Sequence, residues 1–583
     1  MNTSGDIRPH VLFVFGSQTC VPSDPLATAR RLGFSVTVLA EHQPCGLAPE
    51  LVDRIVLGKL RDQAAVIRLA RQIHSHKRIS ATVGYDDQAV PLVARIAAEL
   101  SLPGNPPDAA DAARDKPLMK ERFRVAGVPI AAYHLCSGED DALSSADGLG
   151  YPVVVKPVRG SASQGVIRAD SPDDLRTAYR RVCRIVSEYG LDTGDRPGSV
   201  QLVEEYIHGP EYSVELLVSR GRAFPLCVFE KPKPLNGPFF EETIYLTPPR
   251  LDSTRIRELE ALAIRASEAV GLRVGLAHCE IRIGDRGAFV LELAARLIGG
   301  ACSRVFRTLL PLDIHELILR LSAGEDVPPP PVAHRAAGAL MLPIPANGRL
   351  VTVRGVDAAR SVPGIRDVIV NATPGDVIVQ FPEQSCYIGF VTADGETPED
   401  VESALSEASE CLEVELAPLE CERWVRSIDV GPSAPLPDGI QTLAGLTAEQ
   451  ARARVVPVIA DAHFADLPTD EAQREAASCV NWLEAGHRGE TAPAVWLLHG
   501  TRGVALPSWD GMTGYVSCLG VSPGARRQGI ATKLLQAVMT LLARRGCTEM
   551  EVLVDPRSPT TTALYRRLGF ASAAGQQTCC CKG

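Results

Sequence analysis

A basic, glycine-containing stretch near the carboxyl end, VSPGARRQGIATKLLQAV (521–538), runs directly into a predicted amphipathic helix. Arg526 and Arg527 lie beside Gly529, immediately before that helix. Backbone N–H groups at a helix start carry the positive end of the macrodipole, and glycine lets a phosphate approach them closely. The stretch therefore predicts an anion-binding loop.

A second loop with this chemistry lies in GYPVVVKPVRGSASQGVIRA (150–169), where Lys156 ends a β-branched run. The small residues that follow Lys156 are Gly160, Ser161, Ser163 and Gly165. Their N–H groups can close over phosphates, and a lysine supplies a compact cation. Upstream, Lys116 begins a predicted helix that ends at Gly127. Many strands end in glycine turns, so the loop becomes informative only together with its neighbours.

Paired carboxylates follow downstream. Glu204 and Glu211 are seven residues apart around a short turn in VEEYIHGPEYSVELLV. Glu280 and Glu292 fall on adjacent strands of a predicted hairpin that turns at 284–287. Two facing carboxylates could hold Mg²⁺ ions that bridge nucleotide phosphates, or they could be solvated hairpin charges. The fork of Arg296 could reach phosphate or carboxylate oxygens.

The elements that must position these residues come from a chain of 583 residues, which is long enough for three or more domains. β-Rich runs at 10–16, 35–41 and 79–86, with a helical pattern at 60–76, predict a doubly wound parallel sheet within residues 1–108. We expect the remaining chain to divide into four parts. They are a central region with the strongest motifs (109–320), a subdomain that completes it (321–430), a Pro/Gly-rich linker (431–441) and a separate domain (442–583).

Composition narrows the class of protein. The net charge of −10 argues against a nucleic-acid partner, whose footprint would be basic. The apolar runs are too short to span a bilayer, and the first residues lack a signal-peptide pattern. The 16 cysteines show neither CxxC pairs nor Cys/His ligand spacing, which predicts neither zinc nor a disulfide framework. We expect a cytoplasmic protein with small-molecule substrates and no membrane partner.

Taken together, the central motifs resemble the ATP-grasp superfamily over about the first 430 residues, in the order GYDDQAVPLVARIAAELSLPG, DKPLMK, YPVVVKP, VEEYIHGPEYSVE and CEIR…LELAAR. The resemblance implies that Lys116 and Lys156, with the loop residues Ser161, Ser163 and Gly165, contact ATP phosphates. It also implies that the backbone around Glu204 and Tyr206 receives the adenine and that Glu211 holds the ribose hydroxyls. Glu280 and Glu292 would be the Mg²⁺ ligands.

The ExAxR form at Glu292 is similar to the branch that contains bacterial L-amino-acid ligases. Ala294 stands where many ATP-grasp enzymes have asparagine, which puts coordination of a second ion in doubt. Glu242 falls where those ligases carry an acidic substrate residue, and Tyr245 where some carry histidine. The implied chemistry is ATP-dependent amide formation through an acyl phosphate, with Arg296 stabilising charge. Ligases of this type are often homodimers.

The terminal region resembles the GNAT N-acetyltransferase family. Predicted strands at 511–523 and 547–556 flank the anion loop and its helix, and a further helix carries LYRRLGF within 558–570. Arg526, Gly529 and Ala531 match the family's pyrophosphate loop, which implies acetyl-CoA binding; Arg527 and Ile530 lie in the same loop. Tyr565 would protonate the CoA thiolate, or would simply pack within the helix face. Ser558 replaces an asparagine of many relatives, and no general base identifies itself.

The leading prediction is a bifunctional biosynthetic enzyme of mixed α/β and α+β architecture: an ATP-grasp ligase followed by a GNAT acetyltransferase, using ATP, Mg²⁺ and acetyl-CoA on amino-acid substrates. The alternative is a ligase whose terminal domain binds acetyl-CoA without catalysis and regulates the ligase. A carboxylase is disfavoured because nothing in the sequence resembles a biotin-carrier segment.

Overall fold

The computed structural model describes residues 8–16, 23–41, 47–189, 191, 194, 196–333, 335–383, 386–417, 422–431, 433–443, 448–463, 497–500, 502–510, 513–554 and 559–572. The chain divides into two compact units. The first comprises 1–183, 192–346 and 350–416, and the second comprises 184–191, 347–349 and 417–583.

The first unit begins with a parallel sheet in the order β3-β2-β1-β4. Its strands and helices are β1 His10–Phe15, α1 Ser23–Arg31, β2 Ser35–Ala40, β3 Arg54–Leu57, α2 Gln63–His76, β4 Ala81–Gly84 and α3 Ala89–Glu99. Strands β1 and β2 are buried along their whole length, as expected of a sheet covered on both faces. The predicted parallel sheet and the helix after residue 60 are confirmed.

An antiparallel sheet of order β5-β8-β6-β7 follows. The elements of this region are α4 Pro107–Arg114, α5 Lys116–Val125, β5 Tyr133–Cys136, α6 Glu139–Leu149, β6 Val153–Pro157, β7 Ile167–Ala169, α7 Pro172–Glu188 and β8 Gln201–Glu205. Asp115 caps α5 by accepting a hydrogen bond from the Leu118 N–H at 3.2 Å, which fixes where this helix starts. Lys116 is thus the first residue of a helix, and the small-residue loop joins β6 to β7.

The largest sheet of the first unit has the order β13-β12-β9-β10-β11-β14-β18-β16, and a smaller one has the order β17-β15-β19. Their strands are β9 Glu211–Ser219, β10 Arg222–Lys231, β11 Ile244–Thr247, β12 Gly275–Gly284, β13 Gly287–Ala294, β14 Ala336–Met341, β15 Gly348–Arg354, β16 Ile365–Val370, β17 Val377–Ile378, β18 Gly389–Gly395 and β19 Glu413–Ala417. The helices between them are α8 Ser253–Val270, α9 Cys302–Leu309, α10 Ile314–Ser322, α11 Val356–Ser361 and α12 Pro398–Cys411.

Alternation along β9 separates the two faces of this sheet. Tyr212, Val214 and Leu216 belong to an apolar core that includes Leu262 and Ala266 of α8. The intervening side chains, Glu211, Ser213 and Glu215, are also buried, and they point to the opposite face. Buried carboxylates on one face of a strand need partners, so this face is the place to look for a charged site.

The second unit is a seven-stranded sheet of order β21-β22-β23-β24-β25-β20-β26 with three described helices. Its elements are β20 Glu422–Ser427, β21 Gln441–Thr442, α13 Ala448–His463, β22 Leu497–Leu498, β23 Gly503–Asp510, β24 Thr513–Val521, α14 Ile530–Arg544, β25 Glu549–Val554, α15 Pro559–Arg567 and β26 Ala571–Ser572. The predicted apolar face of α14 is confirmed. Leu534, Leu535, Val538 and Leu542 are fully buried, and Leu541, predicted on the same face, is half-buried against the same core.

Strand β20 corrects the predicted domain boundary. The sequence predicts that residues up to 430 belong to the C-terminal ligase subdomain, yet β20 pairs with β25 and β26 and so belongs to the second unit. The units divide after Leu416 rather than at the Pro/Gly-rich stretch 431–441. Among the described residues, none of the helices is long and apolar enough to cross a membrane.

Candidate functional site

The β12–β13 hairpin forms one edge of the sheet face that carries Glu211, Ser213 and Glu215, which we call the charged face. Glu280 lies directly opposite Glu292, so the predicted facing of these two carboxylates is confirmed. Glu211 of β9 is in register with Lys231 of β10 on one side and with Arg282 of β12 on the other. The sheet therefore brings the predicted metal ligands beside residues that are far apart in sequence.

Lys231, which the sequence analysis did not identify, is the centre of this face. Its Nζ lies 2.5 Å from Glu211 Oε1 and 2.6 Å from Glu280 Oε1, and it also contacts Glu242 Oε1. Its side chain is 2% exposed. Burial disfavours the charge, but the three carboxylates outweigh it and raise the pKa of Lys231 well above its ordinary value. One ammonium thus joins residues predicted for the ribose, the substrate and the metal.

Glu242 and Tyr245, two residues predicted to bind the substrate, contact each other beside Lys231. The Tyr245 hydroxyl donates a 2.6 Å hydrogen bond to Glu242 Oε2. Burial raises the pKa of Glu242, and burial together with the Glu242 charge raises the pKa of Tyr245. Both oxygens of Glu242 are therefore engaged, one by a cation and one by a hydroxyl.

A second pair missed from the sequence is Glu215 with His278. His278 Nδ1 lies 2.5 Å from Glu215 Oε1, and its Nε2 is 3.6 Å from Glu280 Oε1. Burial opposes the imidazolium, but the two carboxylates raise the pKa of His278 to about 10. The signal was present, since Glu211, Ser213 and Glu215 place polar residues at every second position of a buried strand.

Three carboxylates supply oxygen ligands of the kind that Mg²⁺ prefers, but a lysine already lies among them. Oxygens of Glu211, Glu242 and Glu280 all lie within 4.8 Å of one another. Lys231 Nζ contacts all three, so a divalent cation would bind this set only in place of that ammonium. Glu292 instead pairs with Lys116, whose Nζ is 3.1 Å from its Oε2. Glu211 also accepts a 2.7 Å hydrogen bond from Arg282 Nε, so its predicted ribose role would compete with two cations. The metal roles of Glu280 and Glu292 stay predictions.

The predicted nucleotide residues converge on Glu204 and Gly160. Lys156 Nζ is 2.8 Å from Glu204 Oε1, and Lys116 Nζ donates to the Gly160 carbonyl at 3.1 Å. Lys120, which the sequence analysis missed, lies 3.1 Å from the same Glu204 oxygen and is 1% exposed. Burial lowers the pKa of Lys120 to about 8. Two buried lysines thus share one carboxylate.

The other residues predicted to bind the nucleotide differ in their burial and contacts. Tyr206 is 4% exposed, donates to the Leu235 carbonyl at 3.2 Å and lies under the Arg168 guanidinium. In the loop after β6, Ser161 is exposed, Ser163 is half-buried and Gly165 is buried. The contacts of these residues with ATP stay predictions.

Arg296 is held by an acid that was not identified from the sequence. Its Nε and Nη2 both lie 2.9 Å from Asp87 Oδ2. Burial would raise the pKa of Asp87, but Arg296 and its neighbouring cations lower it. Asp87 follows β4 of the parallel sheet, so this ion pair connects the first sheet to the charged face.

In the second unit, the predicted anion loop does lead into a helix. Gly529 is the N-cap of α14 with a φ of +76°, and Arg527 has a φ of +66°. Ile530 and Ala531 open the helix, and Arg526 Nε donates to the Val521 carbonyl at 3.2 Å. Only glycine adopts such a φ without steric cost, so the loop geometry depends on residue 529.

Tyr565 is 6% exposed and packs edge-to-face on Phe570, with ring centroids 5.3 Å apart. Strands β24 and β25 pair in parallel at Thr513–Tyr515 with Glu549–Glu551. Within the described residues this parallel pairing does not continue toward Val521. Ser558 lies outside the described residues.

Four family models match the chain. The ATP-grasp N-terminal domain matches residues 26–104, the ATP-grasp domain 149–305, and the L-amino acid ligase C-terminal domain 2 340–417. The acetyltransferase (GNAT) family matches residues 461–570.

Individual relatives agree with the first three matches. The Sinorhizobium fredii protein y4rH is 25% identical over 370 residues, which cover 62% of this chain and 70% of that protein. The alanine–anticapsin ligase of Bacillus subtilis is 26% identical over 249 residues, or 40% of this chain and only 52% of the relative. The L-amino acid ligase structure from Bacillus licheniformis superimposes with a TM-score of 0.60 at 24% identity, covering 70% of this chain and 100% of that one, which shows a common fold.

Proposed function

Because this chain joins ATP-grasp domains and an L-amino acid ligase C-terminal domain to a GNAT acetyltransferase domain, we propose that it has two activities. The first uses ATP to form an amide bond from an amino-acid carboxylate. The second transfers an acetyl group from acetyl-CoA. The acetyl acceptor would be a substrate, intermediate or product of the ligase. The observation that carries the ligase proposal is the contact of Lys231 with both Glu242 and Glu280, because it joins an acid suited to an ammonium group to an acid suited to Mg²⁺.

The ligase reaction would take two steps. An oxygen of the substrate carboxylate attacks the γ-phosphorus of ATP, the bond to the bridging oxygen breaks, and ADP leaves. An amine then attacks the acyl phosphate carbon, loses a proton and expels inorganic phosphate. A carboxylate alone reacts poorly because its leaving group resembles hydroxide, whereas phosphate leaves readily.

The charged residues have separate tasks in this scheme. Lys116, Lys156 and Arg296 would offset negative charge on the transferring phosphoryl group, since catalysis of phosphoryl transfer is mainly positioning and electrostatics. Mg²⁺ held by Glu280 and Glu292 would neutralise phosphate oxygens. Glu242 would accept hydrogen bonds from the substrate ammonium, within an environment that Tyr245 and Lys231 already orient.

In the second unit, the α14 N-terminus with Gly529 would bind the pyrophosphate of acetyl-CoA. The acceptor amine would attack the thioester carbon, and the departing thiolate would take a proton from Tyr565. The second candidate is an acetyl-CoA-binding module that regulates the ligase; it is supported by Ser558, which stands where many relatives have asparagine, and by the lack of a general base in the sequence pattern. A Tyr565→Phe variant with unchanged acetyl transfer would remove the proposed acid.

The test is mass spectrometry of the purified full chain incubated with ATP, Mg²⁺ and pooled amino acids, with and without acetyl-CoA. An amide product that gains an acetyl mass only with acetyl-CoA supports both activities. Amide and ADP without acetylation, at a rate that acetyl-CoA changes, supports the regulatory candidate. If a broad panel of amino acids yields no ADP and no amide, that result contradicts the ligase proposal. Glu280→Gln should abolish ADP release while acetyl-CoA binding persists.

A further inference from the structure

The loop between β6 and β7 has a backbone conformation that needs support from outside the loop. Ala162, Ser163 and Gly165 have φ angles of +51°, +53° and +72°. The left-handed region is unfavourable for alanine and serine because their Cβ approaches the carbonyl oxygen, and such residues persist only where surrounding structure holds them. Successive N–H groups in conformations of this kind can form an anion-binding concavity.

The two ends of the loop are held differently. At the start, the Gly160 carbonyl accepts hydrogen bonds from Lys116 Nζ at 3.1 Å and Arg114 Nη1 at 3.2 Å. At the far end, the partners come from more than 200 residues later. The Gly165 N–H donates to the Pro382 carbonyl at 2.8 Å, and the buried Gln164 side chain donates to the Glu383 carbonyl, also at 2.8 Å.

Glu383 is itself fixed in place. Its carboxylate accepts a two-pronged interaction from Arg181 of α7, with Nε at 2.7 Å and Nη2 at 2.8 Å. The Arg181 guanidinium lies 4.7 Å from the centroid of the Phe239 ring. Bidentate arginine–carboxylate pairs fix the relative orientation of the two groups as well as pairing their charges. Phe381, two residues before Glu383, is buried in an apolar core. The far end of the loop is therefore bonded to a segment that is itself held by an ion pair and an apolar core.

We propose that Glu383, within the region that matches the L-amino acid ligase C-terminal domain 2, is a positioning residue that holds the β6–β7 loop ready for ATP phosphates through Gln164 and Arg181. This inference rests on the proposed ATP-dependent function. It makes the affinity for ATP depend on a residue outside the segment that matches the ATP-grasp domain. A purely structural ion pair would affect stability without changing the KM for ATP.

The experiment compares the full chain with the variants Glu383→Gln, Gln164→Leu and their combination. The matched control is Glu402→Gln, which removes a 2.6 Å ion pair with Arg250 elsewhere in the first unit. ATP binding is measured by calorimetry, kinetic constants by ADP release, and the opening of the loop by hydrogen exchange of the peptide 160–167 without nucleotide.

We expect each single variant to raise the KM for ATP about fivefold, with kcat and the amino-acid KM within about twofold of wild type. The double variant should bind ATP with the same affinity as the single variant of lower affinity, because both changes act through one loop. Exchange in the loop should accelerate in each variant and stay unchanged in Glu402→Gln.

Two failures are distinguishable. A wild-type chain that does not bind ATP overturns the proposed function and this inference with it. A wild-type chain that binds ATP, together with a Glu383→Gln variant of unchanged ATP KM and unchanged loop exchange, overturns the inference alone. Equal effects in Glu383→Gln and Glu402→Gln also overturn it, because the loss would then be general.

Discussion

Replacing Lys120 with methionine is expected to remove the part of the pH dependence of the free energy of unfolding that comes from the buried Lys120 ammonium. Lys120 is 1% exposed and shares Glu204 with Lys156, so removing its ammonium leaves a one-to-one ion pair between the other two. Methionine occupies a similar volume without the charge, and replacing one member of this triad leaves no unpaired carboxylate.

The magnitude follows from the pKa of Lys120, which burial lowers from 10.5 to about 8. Below pH 8 the ammonium is charged in both folded and unfolded chains, and the folded state carries the full cost of burying it. Between pH 8 and 10.5 the unfolded chain binds more protons, so the free energy of unfolding of the wild type rises with pH. At 1.36 kcal/mol per pH unit the total is about 3 kcal/mol, and the Lys120→Met variant lacks this rise.

The assay uses the uneven distribution of tryptophan. All 4 tryptophans, Trp424, Trp482, Trp496 and Trp509, lie after residue 417, so tryptophan fluorescence follows the second unit and circular dichroism follows both. Urea unfolding is measured from pH 7 to pH 10. For the first unit, the free energy of unfolding of Lys120→Met minus that of the wild type should decrease as the pH rises. The fluorescence transition of the second unit should be unaffected. The control is Lys59→Met, at an exposed lysine of the first unit. A difference that stays constant with pH would refute the reasoning.

Three further predictions concern other parts of the chain. Lys231→Met leaves Glu211, Glu242 and Glu280 without their shared cation, which should lower the free energy of unfolding of the first unit by about 3–5 kcal/mol in urea. Lys233→Met, at an exposed position, should not lower it. Equal unfolding midpoints for the two variants would contradict the view that Lys231 stabilises the three carboxylates. Gly529→Ala forces alanine into a φ of +76° at the start of α14 and should weaken acetyl-CoA binding about fivefold by calorimetry, with ADP formation unchanged; unchanged affinity would argue against pyrophosphate binding there. Val425→Pro removes an N–H from a strand paired on both sides and should lower the midpoint of tryptophan-monitored unfolding while ADP formation survives; an unchanged midpoint would mean that β20 is dispensable.

Elements with strong local patterns could be predicted from the sequence. The parallel sheet, the hairpin that sets Glu280 opposite Glu292 and the helix after Gly529 all follow from periodicity and turn residues. The comparisons then confirm the ATP-grasp and GNAT architecture.

The partners of the site residues could not be predicted in this way. Lys231 stands in no motif, and its contact with Glu211 depends on the register between β9 and β10. Asp87 and Arg296 are 209 residues apart in the chain. Lys120 differs in kind: it is one turn after Lys116 in the same helix, and only its burial against Glu204 reveals that it belongs to the charged cluster.

The place of β20 in its sheet has a consequence for the order of synthesis. Ser427 pairs with Glu549, so a strand made early has no partner until 122 further residues have emerged from the ribosome. Its unpaired N–H and C=O groups are open to association with other chains during that interval. Because this non-local pairing must close before the sheet is complete, we expect the second unit to fold after translation and more slowly than its helices alone would allow. Expression trials that slow translation or supply chaperones should therefore act mainly on this unit.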